Sequence, residues 1–506
     1  MAECTDDATV LVVGGGPAGS LAAALLAGAG VDVLLLEKEV FPRYHIGEAV
    51  ASSCRTVLEL AGAAEKVESS GFLSKHGALF RWGSEQDWVA DWTEMFGPEV
   101  RSWSVDRDDF DHLLLNNAAD RGARVVQGAA VKRVVFEGDR PVAAEWAALD
   151  APGQIRTSRF DHLVDASGRA GLLTAQTFKN RTRHEAFRNV AIWGYWDGDT
   201  LLPQTPPGGS NIISAPDGWY WVIPLRDGRR SVGFVMHETA FRERRKAGGS
   251  LDDLLSELVN ESETVRSLVS GDRQIAGARV EQDYSYVSEA FCGPGYFIAG
   301  DAACFLDPLL STGVHLASYS ALLAAASIVA VVDGDVEETE ATAFYESLYR
   351  NAYTRLLAVV ARMYDQYQGK SSYFWLAQRL VGTPEAEGQS NVPFVEIVGG
   401  LSDLFDARHG RAVDRGATAP AEAAAELVDT GAAGPDDAMD MVDIAPKNLY
   451  DTRSNLRLVT SPRLGLRREE QPAESARPGV GMPQPRVDDR LAGAAESGEA
   501  FVEQTH

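Results

Sequence analysis

Basic residues are scarce in this 506-residue chain: 47 Lys and Arg stand against 73 Asp and Glu, for a formal charge of -26. That balance argues against nucleic acid, whose phosphates would be repelled, and favours solubility. Cysteine is scarce too. Cys4, Cys54, Cys292 and Cys304 include no CxxC pair, so neither a metal knuckle nor a dithiol redox motif is expected. Few, scattered thiols suit a reducing cytoplasm. The N-terminal "MAECTDDATV" is short and acidic and leads into a strand, unlike a secretion signal. No apolar run approaches the roughly 18 residues of a membrane span; the longest, "YSALLAAASIVAVVDGD", carries Ser and reads as a buried helix. Aromatic residues vanish late in the chain. From residue 411 onward only Tyr450 and Phe501 remain, in a background of Ala, Gly, Asp and Pro, so 411–506 is expected to build little core and to be largely mobile. No internal repeat is found.

What is present is a 45% hydrophobic fraction, enough for a real core, in a length that suits about three domains. "ATVLVVGG" is a continuous apolar run, the mark of a buried parallel strand. "PAGSLAAALLAGAG" reads as a helix and "VDVLLLEKE" as a second strand. Between the first strand and the helix, Gly14, Gly16 and Gly19 form G-x-G-x-x-G, with Ala18 inside the motif. Glycines there let the backbone turn tightly and approach a pyrophosphate at the helix N-terminus. Glu37 closes the second strand, where a carboxylate can bind ribose hydroxyls. Further along, residues 123–165 alternate in the β manner, a β-rich block follows, and helical periodicity dominates from 308 to about 382. Within the β-rich block, "GWYWVIPL" (218–225) puts Trp219, Trp221 and Ile223 on one face of a strand.

Two stretches extend the nucleotide reading. "VDRDDFDHLL" places Arg107 before a helix, and "FIAGDAACFLDP" places Asp301 between a strand and a helix. Both resemble distal FAD-binding motifs of the p-hydroxybenzoate hydroxylase type of flavoprotein, and "DASG" (165–168) resembles that fold's third motif with its usual Asp-Gly altered. There is no second Gly-rich unit for a nicotinamide nucleotide, which is compatible with reduced flavin arriving from a separate reductase.

"GWYWVIP" matches, at Trp219, Trp221, Ile223 and Pro224, the W-x-W-x-I-P of flavin-dependent halogenases. Lys75, in "LSKHGALFRWG", lies where that family's active-site lysine is expected, and "DPLLSTGVHLA" resembles its halide segment, with Thr312 and Gly313 at the halide site. The resemblance spans roughly residues 8 to 400. It implies an α/β fold: a doubly wound FAD-binding domain, an inserted β-sheet substrate domain and a C-terminal helical region. The expected segments are 1–110 (FAD-binding, with the Lys75 region), 111–180 (its continuation), 181–290 (β-rich substrate domain), 291–335 (closing FAD segment), 336–410 (helical region) and the 411–506 tail. Gly14, Gly16, Ala18, Gly19, Glu37, Arg43, Arg107 and Asp301 are the implied FAD-binding residues.

In the family, FADH2 and O2 give a flavin hydroperoxide, chloride or bromide attacks it, and hypohalous acid passes to a lysine that holds the electrophilic halogen beside an electron-rich ring. Here that lysine is Lys75, and Trp219 with Trp221 would separate flavin from substrate. Tryptophan halogenases carry a glutamate before Ser-Thr-Gly; this chain has Leu310. "FPRYHIGEAV", "DYSY" and "SSYFWLAQRL" instead resemble the phenol and pyrrole branch, acting on tyrosyl-type units in antibiotic biosynthesis. A phenol is already activated, so the missing glutamate is tolerable. Many members of that branch act on carrier-tethered substrates. Two basic segments could dock an acidic carrier: Arg242, Arg244, Arg245 and Lys246, and Lys179, Arg181, Arg183 and Arg188. The expected partners are a flavin reductase and an aromatic substrate, free or tethered, with no nucleic acid, no metal and no membrane span. The competing readings are an aromatic hydroxylase of the same fold, a prenyl reductase, and a non-catalytic flavin-binding protein.

Overall fold

A computed structural model describes residues 7–83, 87–246, 248–365 and 449–469. The apolar run at the start forms the strand Ala8–Val13, whose Val10, Leu11 and Val12 have no solvent exposure. It lies parallel between Val33–Glu37 and Ile155–Asp165, with Val13 opposite Leu36 on one side and Asp165 on the other. The helix Pro17–Gly28 connects the first two strands; Pro17 suits the first helical position because its missing N–H would be unpaired there anyway. Outward, the sheet continues through Tyr296–Ile298 and Cys292–Gly293 at one side and Arg124–Gln127 at the other. The strands Ala129–Glu137 and Arg140–Ala148 join it as an antiparallel meander ending in Ile155–Asp165. This is the expected α/β architecture.

A second eight-stranded sheet carries the aromatic strand. The central strand Arg181–Asp197 pairs with Gln274–Ser288 and with Arg229–His237. Gly218–Leu225 follows, antiparallel to Arg229–His237 and to Ser210–Ala215, and the sheet ends in Gly77–Arg81 and Trp88–Asp91. All eight residues of Gly218–Leu225 are buried. Strand alternation sorts them. Trp219, Trp221 and Ile223 join the main core, whereas Tyr220 and Val222 enter a second core built with Leu254, Leu255 and Leu258 of the helix Leu251–Glu261. Lys75 ends a short strand, Leu73–Lys75, paired with Ser102–Ser104.

One expectation is corrected in part: the helix Gly313–Val332 is 20 residues long with a mean hydropathy of 1.8 over its most apolar window, long and apolar enough to cross a membrane, while 94% of that window is buried inside the protein, as expected of this stretch. It packs on Pro17–Gly28 and on the 28-residue helix Glu338–Asp365. The late chain is also not without core. Tyr450–Asp451, Leu456–Val459 and Gly465–Arg468 form a three-stranded sheet against Gly313–Val332, burying Leu449, Leu456, Leu458 and Leu466. Leucine supplies there what aromatic residues do not. Residues 366–448, with the later part of the expected helical region 336–410 and the segment "SSYFWLAQRL", lie outside the described residues, as does the tail beyond 469.

Candidate active site

Residues from both sheets line a cavity of about 510 Å³, a size ordinary for a cofactor or ligand site. Gly14, Gly16, Ala18, Glu37, Arg43 and Arg107 line one region of it. Gly14 has φ +108°, and a Cβ there would fall 2.2 Å from the Ala166 carbonyl oxygen. Gly19 is excluded from the cavity lining but allows close packing: its Cβ would meet the Gly14 oxygen at 1.9 Å. At Gly16, the N-cap of Pro17–Gly28, a Cβ would meet only Arg43 Nη2, at 3.6 Å. Space beside a helix N-terminus and an arginine is what a pyrophosphate requires. Glu37 accepts hydrogen bonds from the Gly15 and Glu39 amides, the latter at 2.8 Å, which fixes its carboxylate at the edge of the cavity.

Arg107 binds Asp111 through two hydrogen bonds, of 2.8 and 3.0 Å, and donates to the Ile46 carbonyl at 2.7 Å. Arg43 reaches the same carboxylate at 3.1 Å. Two guanidinium groups thus share one fully buried carboxylate beside the glycine turn, and Arg43 Nε also lies 3.4 Å from Glu39. Asp301 also lines the cavity, with Arg169 Nε 3.9 Å away. Burial pushes its carboxyl pKa up, against the pull of Arg169, Arg107 and Arg181. Arg181 donates to the carbonyls of Arg169, Asp301 and Ala302, tying the loop after "DASG" to the Gly-Asp loop. Asp165 of "DASG" is buried and accepts from the Ser167 and Leu173 amides at 3.1 and 2.7 Å, so it folds its own loop.

Trp219, Trp221 and Ile223 line the same cavity. The two indole rings lie 6.1 Å apart, and Trp193, which the sequence reading did not single out, lies 6.3 Å from Trp221. Gly233 on the next strand makes room: a Cβ there would sit 2.1 Å from Trp221 Cζ2. Trp193 begins a second missed feature. Its indole donates to Tyr44 Oη at 2.8 Å; Tyr44 and Tyr195 hydroxyls are 2.8 Å apart; Tyr195 donates to Glu48 at 2.7 Å. An indole only donates, so with Glu48 accepting, the protons run from Trp193 through Tyr44 and Tyr195 to Glu48. Burial raises the Glu48 pKa.

Gly313 lines the cavity; Thr312, Pro224 and Lys75 do not. Thr312 is the N-cap of Gly313–Val332, and its buried Oγ1 has no hydrogen-bond partner among the described residues. Lys75 is 3% exposed. Its Nζ lies 5.1 Å from the Trp92 ring centroid and makes no hydrogen bond or ion pair among the described residues. Desolvation lowers its pKa to about 8. A buried, singly placed amine of this kind suits a reactive lysine.

The model of the tryptophan halogenase family matches residues 9–102 and 99–430. This chain belongs to the flavin-dependent halogenases. It is 43% identical to a tryptophan 2-halogenase of Chondromyces crocatus over 416 residues, covering 81% of this chain and 78% of the relative. It is 38% identical to a sulochrin halogenase of Aspergillus terreus, covering 71% and 69%. Among solved structures it resembles the myxobacterial chondrochloren halogenase CndH, with a TM-score of 0.70 at 30% identity over 88% of this chain and 98% of that one. It also resembles the flavin-dependent halogenase CmlS, with a TM-score of 0.69 at 32% identity over 75% and 68%.

The halogenase therefore uses FAD, supplied as FADH2 by a flavin reductase, with O2, halide and an aromatic substrate. The cavity fits that cofactor: the open space at Gly16 would set a pyrophosphate at a helix N-terminus beside the guanidinium groups of Arg43 and Arg107. Most side chains of the two basic segments have partners among the described residues, and Arg245 binds only the Gly249 and Ser250 carbonyls. Arg244 is paired with Glu261, Asp217 and Glu257, Arg242 with Glu238, and Lys246 with Glu243. In the other segment, Arg181 is spent on the cofactor-side loops and Arg188 on Glu185 and Glu238.

Proposed function

We propose that this halogenase chlorinates a phenolic ring of tyrosyl type, with Lys75 delivering the halogen. The observation that carries the proposal is Lys75 itself: a buried amine, desolvated to a pKa of about 8, outside a cavity faced by Trp219 and Trp221. When bound, reduced FAD supplies the electrons with which O2 becomes an oxidant of halide. Gly14, Gly16, Ala18, Gly19 and Glu37 shape its dinucleotide site, with Arg43 and Arg107 opposite the phosphates and Asp301 on the ribityl side. Thr312 and Gly313 hold chloride. Trp219, Trp221, Ile223 and Pro224 keep the aromatic ring away from the flavin and leave passage to a small molecule.

Lys75 then acts in one of two forms. At pH 7 about nine-tenths is ammonium, which donates a hydrogen bond to hypochlorous acid. The remaining amine attacks its chlorine, giving a chloramine and water; the ring carbon then takes the chlorine, loses a proton, and the amine is restored. Residues 1–180 and 291–335 form the flavin-binding part in this account, and 181–290 the substrate side. The free thiols Cys54, Cys292 and Cys304 support a place in the cytoplasm.

Leu310, where tryptophan halogenases have glutamate, supports a ring that needs no carboxylate assistance. An indole is the second reading, favoured by the 43% identity to a tryptophan 2-halogenase. Incubation with FADH2, O2, chloride and a panel of free and carrier-tethered phenols and indoles separates them by the isotope pattern of the products. Chlorinated phenols support the first reading; chlorination of indoles alone overturns it. Carrier dependence is read in the same panel.

A further inference from the structure

Asp307 opens the segment that leads to Thr312 and Gly313, and its side chain is fully buried. One oxygen accepts from the Leu309 amide at 3.1 Å and so shapes the turn Pro308–Leu310. The other accepts from Asn189 Nδ2 at 2.6 Å and from the Tyr364 hydroxyl at 2.9 Å. Tyr364 Oη in turn accepts from Trp219 Nε1 at 2.8 Å. The direction is fixed by chemistry. An indole N–H only donates, so the tyrosine's single proton is free to go to the carboxylate. Signature strand, C-terminal helix, central strand and halide segment are thus joined in one buried network.

The segment it holds is not relaxed. Ser311 sits at φ 56°, in the left-handed region, immediately before Thr312. Such backbone persists where its surroundings fix it. Asp307 lies four residues before Ser311, so its anchors set where Thr312 Oγ1 and the Gly313 amide stand.

We propose that Tyr364 is a positioning residue for halide: through Asp307 it holds the Thr312–Gly313 turn in register with the signature Trp219. The inference rests on the halide role proposed for Thr312 and Gly313. Trp219 then has two functions, facing the cavity with its ring and anchoring the halide turn with its N–H.

The test uses full-length, FAD-loaded enzyme. Chloride is titrated against the absorbance and fluorescence of oxidised FAD to give Kd, and steady-state assays give kcat and the chloride KM. Tyr364→Phe should raise chloride Kd and KM about tenfold, the size of losing a hydrogen bond to a charged group, with kcat at saturating chloride changed less than about threefold. Tyr364→Phe combined with Trp219→Phe should weaken chloride no more than Tyr364→Phe alone, because one acts through the other. Thr312→Val is the control for the underlying reading. If it weakens chloride and Tyr364→Phe does not, the anchor is overturned while the halide site stands. If neither weakens chloride, the halide reading falls and the anchor with it. Should Tyr364→Phe not fold, Asn189→Ser removes the other side-chain donor to the same oxygen, and an unchanged chloride Kd there overturns the proposal.

Discussion

Replacing Lys75 by Met should stabilise the protein while ending its chemistry. The magnitude follows from the site. Desolvation lowers the lysine from its ordinary 10.5 to about 8, and each tenfold change in proton affinity is about 1.4 kcal/mol, so the buried ammonium costs about 3 kcal/mol at pH 7. Met has similar length and no charge. The sign with pH is set by linkage. Between pH 8 and 10.5 the unfolded lysine holds a proton that the folded one has lost, so wild-type stability rises with pH across that window. Below 8 both states are protonated and the penalty is constant. Lys75→Met lacks this dependence. Its advantage should therefore fall from about 3 kcal/mol at pH 7 to about 1 kcal/mol at pH 10. Urea unfolding of the FAD-loaded proteins, followed by tryptophan fluorescence at both pH values, reads the difference. An advantage that is equal at pH 7 and pH 10 would refute the depressed pKa and the burial argument together.

Other outcomes follow from the same geometry. Chlorination at saturating FADH2 should rise with an apparent pKa near 8 if the amine carries the halogen, and Lys75→Arg, which keeps its charge, should lose that rise. Gly14→Ala should purify without FAD, judged by flavin absorbance, because its Cβ meets a carbonyl oxygen at 2.2 Å in a backbone of φ +108°. Gly233→Ala should displace the Trp221 indole, 2.1 Å from the new Cβ; flavin binding should persist while chlorinated product per FADH2 falls. Phe at both Trp219 and Trp221 should likewise disturb passage to Lys75 more than FAD binding; loss of folding in both variants would favour a plain core role.

The nucleotide unit was legible because its determinants are local. Gly14, Gly16 and Gly19 sit in six residues, and the apolar run Val10–Val13 announces a strand buried on both faces. The aromatic strand was legible for the same reason: alternation alone puts Trp219, Trp221 and Ile223 together. What escaped notice is long-range. Trp219 and Tyr364 are 145 positions apart, and Tyr364 and Asp307 are 57. Arg244 stands in a basic run of sequence, and its carboxylate partners Asp217 and Glu261 come from other segments. The Leu449–Arg468 sheet was missed because four buried leucines in short strands give a weak signal against an Ala- and Gly-rich background. Burial itself, which lowers the Lys75 pKa, has no local signature.

The central claim is that halogen passes through Lys75 after the flavin has reacted. Single-turnover incubation of Lys75→Ala with FADH2, O2, chloride and an accepted aromatic substrate tests it most directly. FADH2 oxidation and release of hypochlorous acid, captured by a thioether scavenger, should continue at the wild-type rate, with no chlorinated product by isotope-pattern mass spectrometry. Chlorinated product at wild-type yield from Lys75→Ala would contradict the account.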